Sequence, residues 1–183
     1  MARVSPVASS ALPPRIAEVY ETYASAYGPF RNQVEVMAHV PAAVEHIPAL
    51  LMELKRQKAV PWRYIELAIV VVSKLNACDY CVAHHAPVLE VEGISAEGIE
   101  HLLDYADHPE LEEVDKAVVE YAIQVTETPQ RIRDRMFERL RAHFTEAQIV
   151  ELTLRIALCG FFNRFNDALM IETEAEAEPL SAA

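Results

Sequence analysis

The chain has 183 residues, 52% of them hydrophobic and 24% charged, a composition typical of a globular domain and not of a disordered chain. Its formal net charge of -12 argues against nucleic acids and anionic membrane surfaces as partners, because both bind patches of lysine and arginine. The apolar runs are too short to span a bilayer, and the first residues, MARVSPVASSALPPR, lack the apolar stretch of a secretory signal. Three cysteines do not make a disulfide framework, so we expect a cytoplasmic protein.

Helical periodicity dominates the chain. Glycine occurs only four times, apolar residues recur at helical spacing, and prolines stand where helices begin or end, so the pattern predicts an all-α protein. The segment PWRYIELAIVVVSKLNA, which begins at Pro61, is apolar on every side at its centre and predicts a buried central helix. Thr145 and Gln148 have the spacing of a capping box. Four predicted helices have both ends set by the sequence and cover residues 31–40, 95–107, 110–126 and 129–144. Four others are predicted from their first residue, at 14, 41, 61 and 145. One more runs from the cysteine-rich segment to Gly93.

The composition of the two ends sets the predicted domain boundaries. Residues 1–13, rich in proline, serine and alanine, are expected to form a flexible N-terminal arm. Residues 173–183 are expected to form an acidic disordered tail. Neither a repeat nor a linker interrupts the rest, so residues 14–172 are predicted to be a single all-α domain.

The segment NACDYCVAHH, residues 76–85, concentrates thiol and imidazole chemistry in a few turns of backbone. In a helix, Cys78 and Cys81 are separated by three residues and Cys81 and His85 by four, so all three side chains share one stripe. An ordinary thiol has a pKa of about 8.5, which a helix N-terminus or a neighbouring histidine lowers. Asn76 is the predicted N-cap. The spacing therefore predicts two thiols able to form a disulfide, with a base beside them.

Glu66 precedes this segment inside the apolar helix. Along one straight helix it would lie about 18 Å from Cys78 and could take no part in the site. If the chain reverses at Asn76 and Ala77, an antiparallel helix pair places Glu66 opposite His85. A carboxylate at that position orients the imidazole and raises its basicity. The spacing thus predicts a helical hairpin with its break at residues 76–77.

The pattern Glu-x11-Cys-x2-Cys-x3-His resembles the carboxymuconolactone decarboxylase superfamily, specifically its AhpD-like alkylhydroperoxidase branch. The segments MAHVPAAV at 37–44, EGIS at 92–95 and FFNRFNDAL at 161–169 are similar to that family as well. The resemblance implies an AhpD-like helical bundle with the CxxC at the start of a central helix. It also implies homo-oligomers (dimers, trimers or hexamers) and thiol-dependent reduction of hydroperoxides, with neither a metal nor a prosthetic group.

By this resemblance the chain is a peroxiredoxin-type alkylhydroperoxidase that acts on a hydroperoxide and is re-reduced by an external dithiol or thiol-reductant protein. Cys81 resembles the peroxidatic cysteine and Cys78 the resolving one, while Glu66 and His85 resemble the proton relay. Helix-dipole reasoning alone makes Cys78 the more acidic thiol, so the order of the two stays open. The chain departs from AhpD at Tyr80, where AhpD carries histidine.

Several alternatives stay open. One alternative function is that of a carboxymuconolactone-type decarboxylase. Another is that of a non-enzymatic redox-sensing or assembly module. Cys78 and Cys81 with His84 or His85 have the chemistry of zinc ligands, and a buried structural thiol pair is a further alternative. Four expectations concern the surroundings of the site: Pro87 bends the second helix, His84 lies at the surface or lines a pocket, Cys159 belongs to the core, and Asn163 contacts an oligomer partner or braces the hairpin.

Overall fold

A computed structural model describes residues 2–174 of the chain. It is 75% helical and contains no strand in that range, which confirms the predicted all-α fold. No helix among these residues combines the length and the apolar character needed to cross a bilayer. Within the described range the α-helices are α1 (Pro14–Thr22), α2 (Arg31–Met37), α3 (Pro41–Gln57), α4 (Trp62–Leu75), α5 (Asp79–Val91), α6 (Ala96–Glu100), α7 (Glu113–Glu127), α8 (Asp134–Arg141) and α9 (Glu146–Leu169).

The described chain divides into two compact units. One comprises residues 2–59 and 165–174, and the other comprises residues 60–164. The single domain predicted for residues 14–172 stays a prediction. Residues 175–183 of the predicted acidic tail lie outside the described range.

The first unit contains α1, α2 and α3, with α1 packed against α3. Residues of the predicted N-terminal arm make backbone contacts within this unit. The Arg3 amide donates to the Leu169 carbonyl at 2.8 Å, and the Val7 amide donates to the Glu35 carbonyl at 3.0 Å. Its aromatic core includes Tyr23, whose ring stacks on those of its neighbours Tyr27 and Phe30 at 5.0 and 5.7 Å.

The second unit is organised around α4, which packs against α5 and α7. Every residue from Ile65 to Ser73 is buried, which confirms the prediction of a buried central helix. The capping box predicted before α9 is present, since the Thr145 amide donates to Gln148 Oε1 at 2.8 Å and the Gln148 amide donates to Thr145 Oγ1 at 3.3 Å. These local bonds satisfy amides at a helix start that have no partner within the helix.

An ion pair between the buried Asp115 and the partly buried Arg63 joins the start of α7 to the start of α4. Arg63 donates from Nε to Asp115 Oδ1 at 3.0 Å and from Nη2 to Asp115 Oδ2 at 2.8 Å. Hydrogen bonding to this carboxylate raises the pKa of Arg63 above its ordinary value. Asp115 also accepts a bond from the Glu112 amide at 3.0 Å as part of the α7 capping box. One carboxylate therefore caps α7 and holds α4 beside it.

Two predicted helices are each interrupted in the structure. The helix predicted for 95–107 consists of α6 and a 3-10 segment, Leu102–Asp107, in which Asp104 leaves the helical region at φ -90° and ψ 37°. The helix predicted for 129–144 begins with the 3-10 turn Pro129–Arg131, and the extended conformation of Arg133 separates this turn from α8. Apolar periodicity continues across such breaks, because a single residue off the helical conformation barely changes the sequence pattern.

Candidate dithiol site

The turn between α4 and α5 creates the site. α4 ends at Leu75, and Ala77 adopts a left-handed conformation at φ 52°, which residues other than glycine rarely take. The Ala77 amide donates to the Lys74 carbonyl at 3.1 Å, and the Cys78 amide donates to the Ser73 carbonyl at 3.0 Å. These two bonds form a Schellman motif. The chain reverses here, as the spacing of Glu66 and His85 predicted.

The predicted N-cap is wrong by two residues. Cys78, at φ -87° and ψ 92°, is the N-cap of α5, whereas Asn76 is the C-cap of α4. The Schellman motif extends the end of α4 as far as Cys78, so α5 starts only after it. The shift places Cys78 and Cys81 at the N-terminus of α5, where the helix dipole favours a negatively charged thiolate.

The side chains of Cys78 and Cys81 are adjacent, and no disulfide joins them in the structure. Their Sγ atoms lie 2.6 Å apart, with Cys78 donating to Cys81. Cys78 is 0% exposed and Cys81 is 5% exposed. Because both belong to the first turn of one helix, little movement separates this arrangement from a disulfide.

Glu66 and His85 meet across the hairpin. His85 Nδ1 lies 2.7 Å from Glu66 Oε2, which confirms that the two side chains pair. Glu66 is fully buried, and its other oxygen, Oε1, has no hydrogen-bond partner among the described residues. With Glu66 ionised, the carboxylate accepts from Nδ1, so Nε2 of the imidazole is left as the proton acceptor. A buried carboxylate that is only partly satisfied is typical of a functional site.

Three neighbours on α5 complete the surroundings of the thiols. His84 is buried and not at the surface, since its Nδ1 donates to the Tyr80 carbonyl at 2.6 Å and its ring lies 4.3 Å from the Tyr80 ring. Stacking on an aromatic ring lets the histidine be buried with its donor satisfied. Pro87 lies inside α5, and the helix continues through it to Val91 while the contact of His85 with Glu66 is retained.

A polar network braces the turn from the side of α9. Asn76 Nδ2 donates to Asn163 Oδ1 at 2.8 Å, and Asn163 Nδ2 donates to Ser73 Oγ at 3.3 Å. Ser73 Oγ in turn lies 3.4 Å from Cys159 Sγ. The sequence marked Asn163 as a polar residue that needs a partner, and bracing the hairpin was one of its two predicted roles. The partners Ser73 and Cys159 were not predicted, because nothing local links positions so distant in the chain.

The sequence profile of the carboxymuconolactone decarboxylase family matches residues 41–124. The fold is similar to the AhpD core of an uncharacterized peroxidase-related protein from Ralstonia eutropha JMP134, with a TM-score of 0.79, 21% identity, and coverage of 95% of this chain and 93% of that one. It is also similar to ATU0492 from Agrobacterium tumefaciens, a putative antioxidant defence protein AhpD, with a TM-score of 0.66, 26% identity, and coverage of 76% of this chain and 95% of that one. The family match over residues 41–124 and the similar fold support a relationship of this chain to the carboxymuconolactone decarboxylase/AhpD-like superfamily.

Sequence similarity extends to a further protein, YnjA from Escherichia coli K12. This chain is 26% identical to YnjA over 103 residues, which are 56% of this chain and 57% of YnjA. The match thus spans little more than half the length of that relative. YnjA is itself uncharacterized, so the chemistry of this chain has to be argued from its own side chains.

The structure can be searched for the ligands that a zinc site would need. Among residues 2–174, no three side chains of histidine, cysteine, aspartate or glutamate are placed to hold one metal ion.

Cys159 is a core residue, as predicted, and its thiol is chemically quiet. Burial raises its pKa to about 12, although hydrogen bonds from Ser73 and Asn163 act in the opposite direction. At neutral pH the thiol is therefore protonated, and a protonated thiol is a poor nucleophile.

We expect the free energy of unfolding to fall more steeply above pH 9 in the wild type than in a Cys159→Ala variant. The unfolded chain releases this proton near the ordinary value of 9.0 and the folded chain only near 12, so rising pH favours the unfolded state between these values. Below pH 9 the thiol is neutral in both states and adds no pH dependence. Urea denaturation of the reduced proteins across this range checks the prediction, and parallel curves would contradict it.

Proposed function

We propose that this chain reduces hydroperoxides through a redox cycle of Cys78 and Cys81. The observation that carries the proposal is the helical hairpin, which sets the adjacent sulfurs of Cys78 and Cys81 on the same helix as His85 and pairs His85 with Glu66 of α4. Two thiols at a helix N-terminus with a base one turn away have the chemistry of an activated dithiol. The resemblance of the chain to the Agrobacterium protein, a putative antioxidant defence protein, supports the same function.

The first step oxidises Cys81. Its thiolate attacks one peroxide oxygen, an S–O bond forms, and the O–O bond breaks. The leaving alkoxide takes up a proton and departs as an alcohol, or as water when the substrate is hydrogen peroxide. The cysteine becomes a sulfenic acid, and the peroxide has gained two electrons.

The second step forms the disulfide. The Cys78 thiolate attacks the sulfenic sulfur, an S–S bond forms, and hydroxide leaves and is protonated to water. An external dithiol then restores both thiols by exchange and is itself oxidised to a disulfide. The exposure of the two thiols supports this order, because Cys81 keeps 5% of its surface accessible and Cys78 keeps none.

Glu66 and His85 move the protons in this proposal. Nε2 of His85 accepts the proton of the attacking thiol and returns it to the leaving alkoxide. The negative charge of Glu66 stabilises the imidazolium in between and fixes the tautomer through Nδ1. Glu66 and His85 therefore set the rate of the reaction with peroxide, while Cys78 and Cys81 supply the electrons.

One equivalent of hydroperoxide is expected to convert Cys78 and Cys81 into an intramolecular disulfide and to leave Cys159 reduced. The adjacent sulfurs react with each other, whereas burial and a pKa of about 12 keep Cys159 out of the reaction. Alkylation of the remaining thiols followed by peptide mass spectrometry identifies the bond. A disulfide that contains Cys159 would contradict the prediction, and Cys159→Ala serves as the control that retains the reaction.

Turnover separates this function from its alternatives. With an excess of dithiothreitol, the wild type should consume peroxide continuously, and Cys78→Ser and Cys81→Ser should each abolish turnover. A redox sensor would oxidise once and then stop at one equivalent. A decarboxylase of muconolactone-like acids would keep its activity after both cysteines are replaced, which would overturn the proposal.

A further inference from the structure

Asn163 of α9 lies at the centre of the polar network beside the turn between α4 and α5. Its side chain is 0% exposed, so its amide needs hydrogen-bond partners within the protein. Its Oδ1 accepts a bond from Asn76 Nδ2 at 2.8 Å, and its Nδ2 donates to Ser73 Oγ at 3.3 Å. The same Nδ2 lies 3.7 Å from Cys159 Sγ. One buried amide therefore holds both Ser73, in the last turn of α4, and Asn76, the C-cap of that helix.

Ser73 and Asn76 are also the residues that position the first cysteine of the pair. The Cys78 amide donates to the Ser73 carbonyl at 3.0 Å, so Ser73 is bonded to Cys78 through its backbone and to Asn163 through its hydroxyl. Asn76, at φ -89° and ψ 0°, turns the chain out of α4 two residues before Cys78. A shift of either residue changes the position of Cys78, which precedes α5, relative to Cys81, which lies inside it.

The turn depends on such contacts because its middle residue is in an unfavourable conformation. Ala77 is left-handed at φ 52°, which costs energy for a residue with a Cβ, and its side chain is exposed. Packing of the Ala77 side chain therefore does not maintain this conformation. An unfavourable backbone conformation persists only where the surrounding structure enforces it. At this turn the enforcing contacts include the two backbone bonds to α4 and the bond between Asn76 and Asn163.

We propose that Asn163 is a positioning residue that sets the dithiol–disulfide equilibrium of Cys78 and Cys81. With the turn held, the two sulfurs stay 2.6 Å apart in the dithiol form, so disulfide formation requires little reorganisation. Without Asn163, the reduced turn gains conformations in which the sulfurs separate, and the disulfide excludes those conformations. Asn163 therefore raises the effective concentration of one thiol toward the other and favours the disulfide. This role rests on the redox cycle of the proposed function, but not on the identity of its oxidant.

Equilibration with glutathione measures the effect in the absence of peroxide. One glutathione disulfide oxidises Cys78 and Cys81 to their disulfide and becomes two glutathione thiols, which carry the two protons. Replacing Asn163 by leucine, which has a similar size but no polar group, should lower the equilibrium constant for disulfide formation by about tenfold, the effect of one lost hydrogen bond. For this two-electron couple, a tenfold change makes the reduction potential about 30 mV less negative. A wild-type equilibrium constant in Asn163→Leu would overturn the proposal.

A double-mutant cycle tests whether Asn163 acts through the turn. Asn76→Ala removes the other partner of the bond at a half-buried position, so it probes the same contact without altering the core. Asn76→Ala should also lower the equilibrium constant for disulfide formation. The double variant should lie no lower than Asn163→Leu alone, because the shared bond can be lost only once. Losses that add in full would show that the two residues act separately and would contradict the proposed role.

The matched control is a buried hydrogen bond that joins α9 to a different helix. The hydroxyl of Tyr121, on α7, lies 2.6 Å from Thr153 Oγ1 on α9, and Tyr121 is 2% exposed. Tyr121→Phe should lower the stability toward urea and leave the glutathione equilibrium unchanged. If Tyr121→Phe and Asn163→Leu shift that equilibrium equally, Asn163 supports the fold in general and has no specific role at the turn. A wild type that forms the disulfide but does not reduce peroxide would contradict the proposed function and leave this role of Asn163 intact.

Discussion

Replacing Glu66 by glutamine is expected to slow peroxide-driven disulfide formation at neutral pH by roughly ten- to a hundredfold. Glutamine keeps the size of the side chain and can still accept a bond from His85 Nδ1, which lies 2.7 Å from Glu66 Oε2. It removes the negative charge that stabilises the imidazolium. The imidazole then accepts the thiol proton less readily, so a smaller fraction of the attacking thiol is ionised.

The pH dependence distinguishes a proton relay from a structural carboxylate. At higher pH the thiol ionises without help, so the Glu66→Gln variant should regain part of its lost rate. The measurement is the rate of disulfide formation by stopped-flow fluorescence or rapid alkylation between pH 6 and about 9. If Glu66 were only structural, its replacement would lower the melting temperature and leave the pH–rate profile in place.

A second buried carboxylate of the same unit provides the control. Asp115 is paired with Arg63 and also accepts a bond from the Glu112 amide, at the start of α7. Asp115→Asn should lower the stability of the protein and leave the rate of disulfide formation unchanged in the folded state. If Glu66→Gln and Asp115→Asn behave alike in both assays, the relay is wrong.

Replacing Arg63 by methionine is expected to lower the free energy of unfolding by about 3–5 kcal/mol. The variant keeps the apolar stem of the side chain but leaves the Asp115 carboxylate, which is buried, without the guanidinium that neutralises it. It also removes the bond from Arg63 Nη1 to the Glu92 carbonyl, which lies just after α5. Three helices of the second unit therefore lose a shared contact at once.

Urea denaturation at neutral pH measures this loss. The matched control is Arg56→Met, which breaks an arginine–carboxylate pair on the surface. Arg56 Nη2 lies 2.5 Å from Glu53 Oε1, but both side chains are exposed, so solvent replaces the lost contact. Arg56→Met should therefore change the stability little. Equal losses in the two variants would show that burial of Asp115 does not set the effect.

The sequence by itself determined the elements of the fold and one long-range contact. The helical period of the apolar residues predicted an all-α chain and a central helix, α4, that is buried from Ile65 to Ser73, because side-chain direction along a helix depends only on residue number. The contact between Glu66 and His85 was predictable for a similar reason. A short turn between two helices fixes which residues lie opposite each other, so their spacing around residues 76–77 was sufficient.

Only the tertiary structure decided how the ends of the helices share the turn. Asparagine is favoured both at the start and at the end of a helix, so the sequence does not show whether Asn76 ends α4 or begins α5. The two amide bonds of Ala77 and Cys78 back to α4 settle the question, and they make Cys78 the N-cap of α5. The N-cap prediction was wrong because residues 76–78 form both the end of α4 and the start of α5.

Burial and distant polar partners were likewise beyond the sequence. His84 was expected at the surface or lining a pocket, yet it is buried and donates to the Tyr80 carbonyl. His108 is buried as well and donates to the Gly98 carbonyl. The bond from Asn163 to Ser73 joins residues 90 positions apart. The helical period gives the direction in which a side chain points from its helix. Which other helix packs over that side chain depends on contacts between helices far apart in the chain.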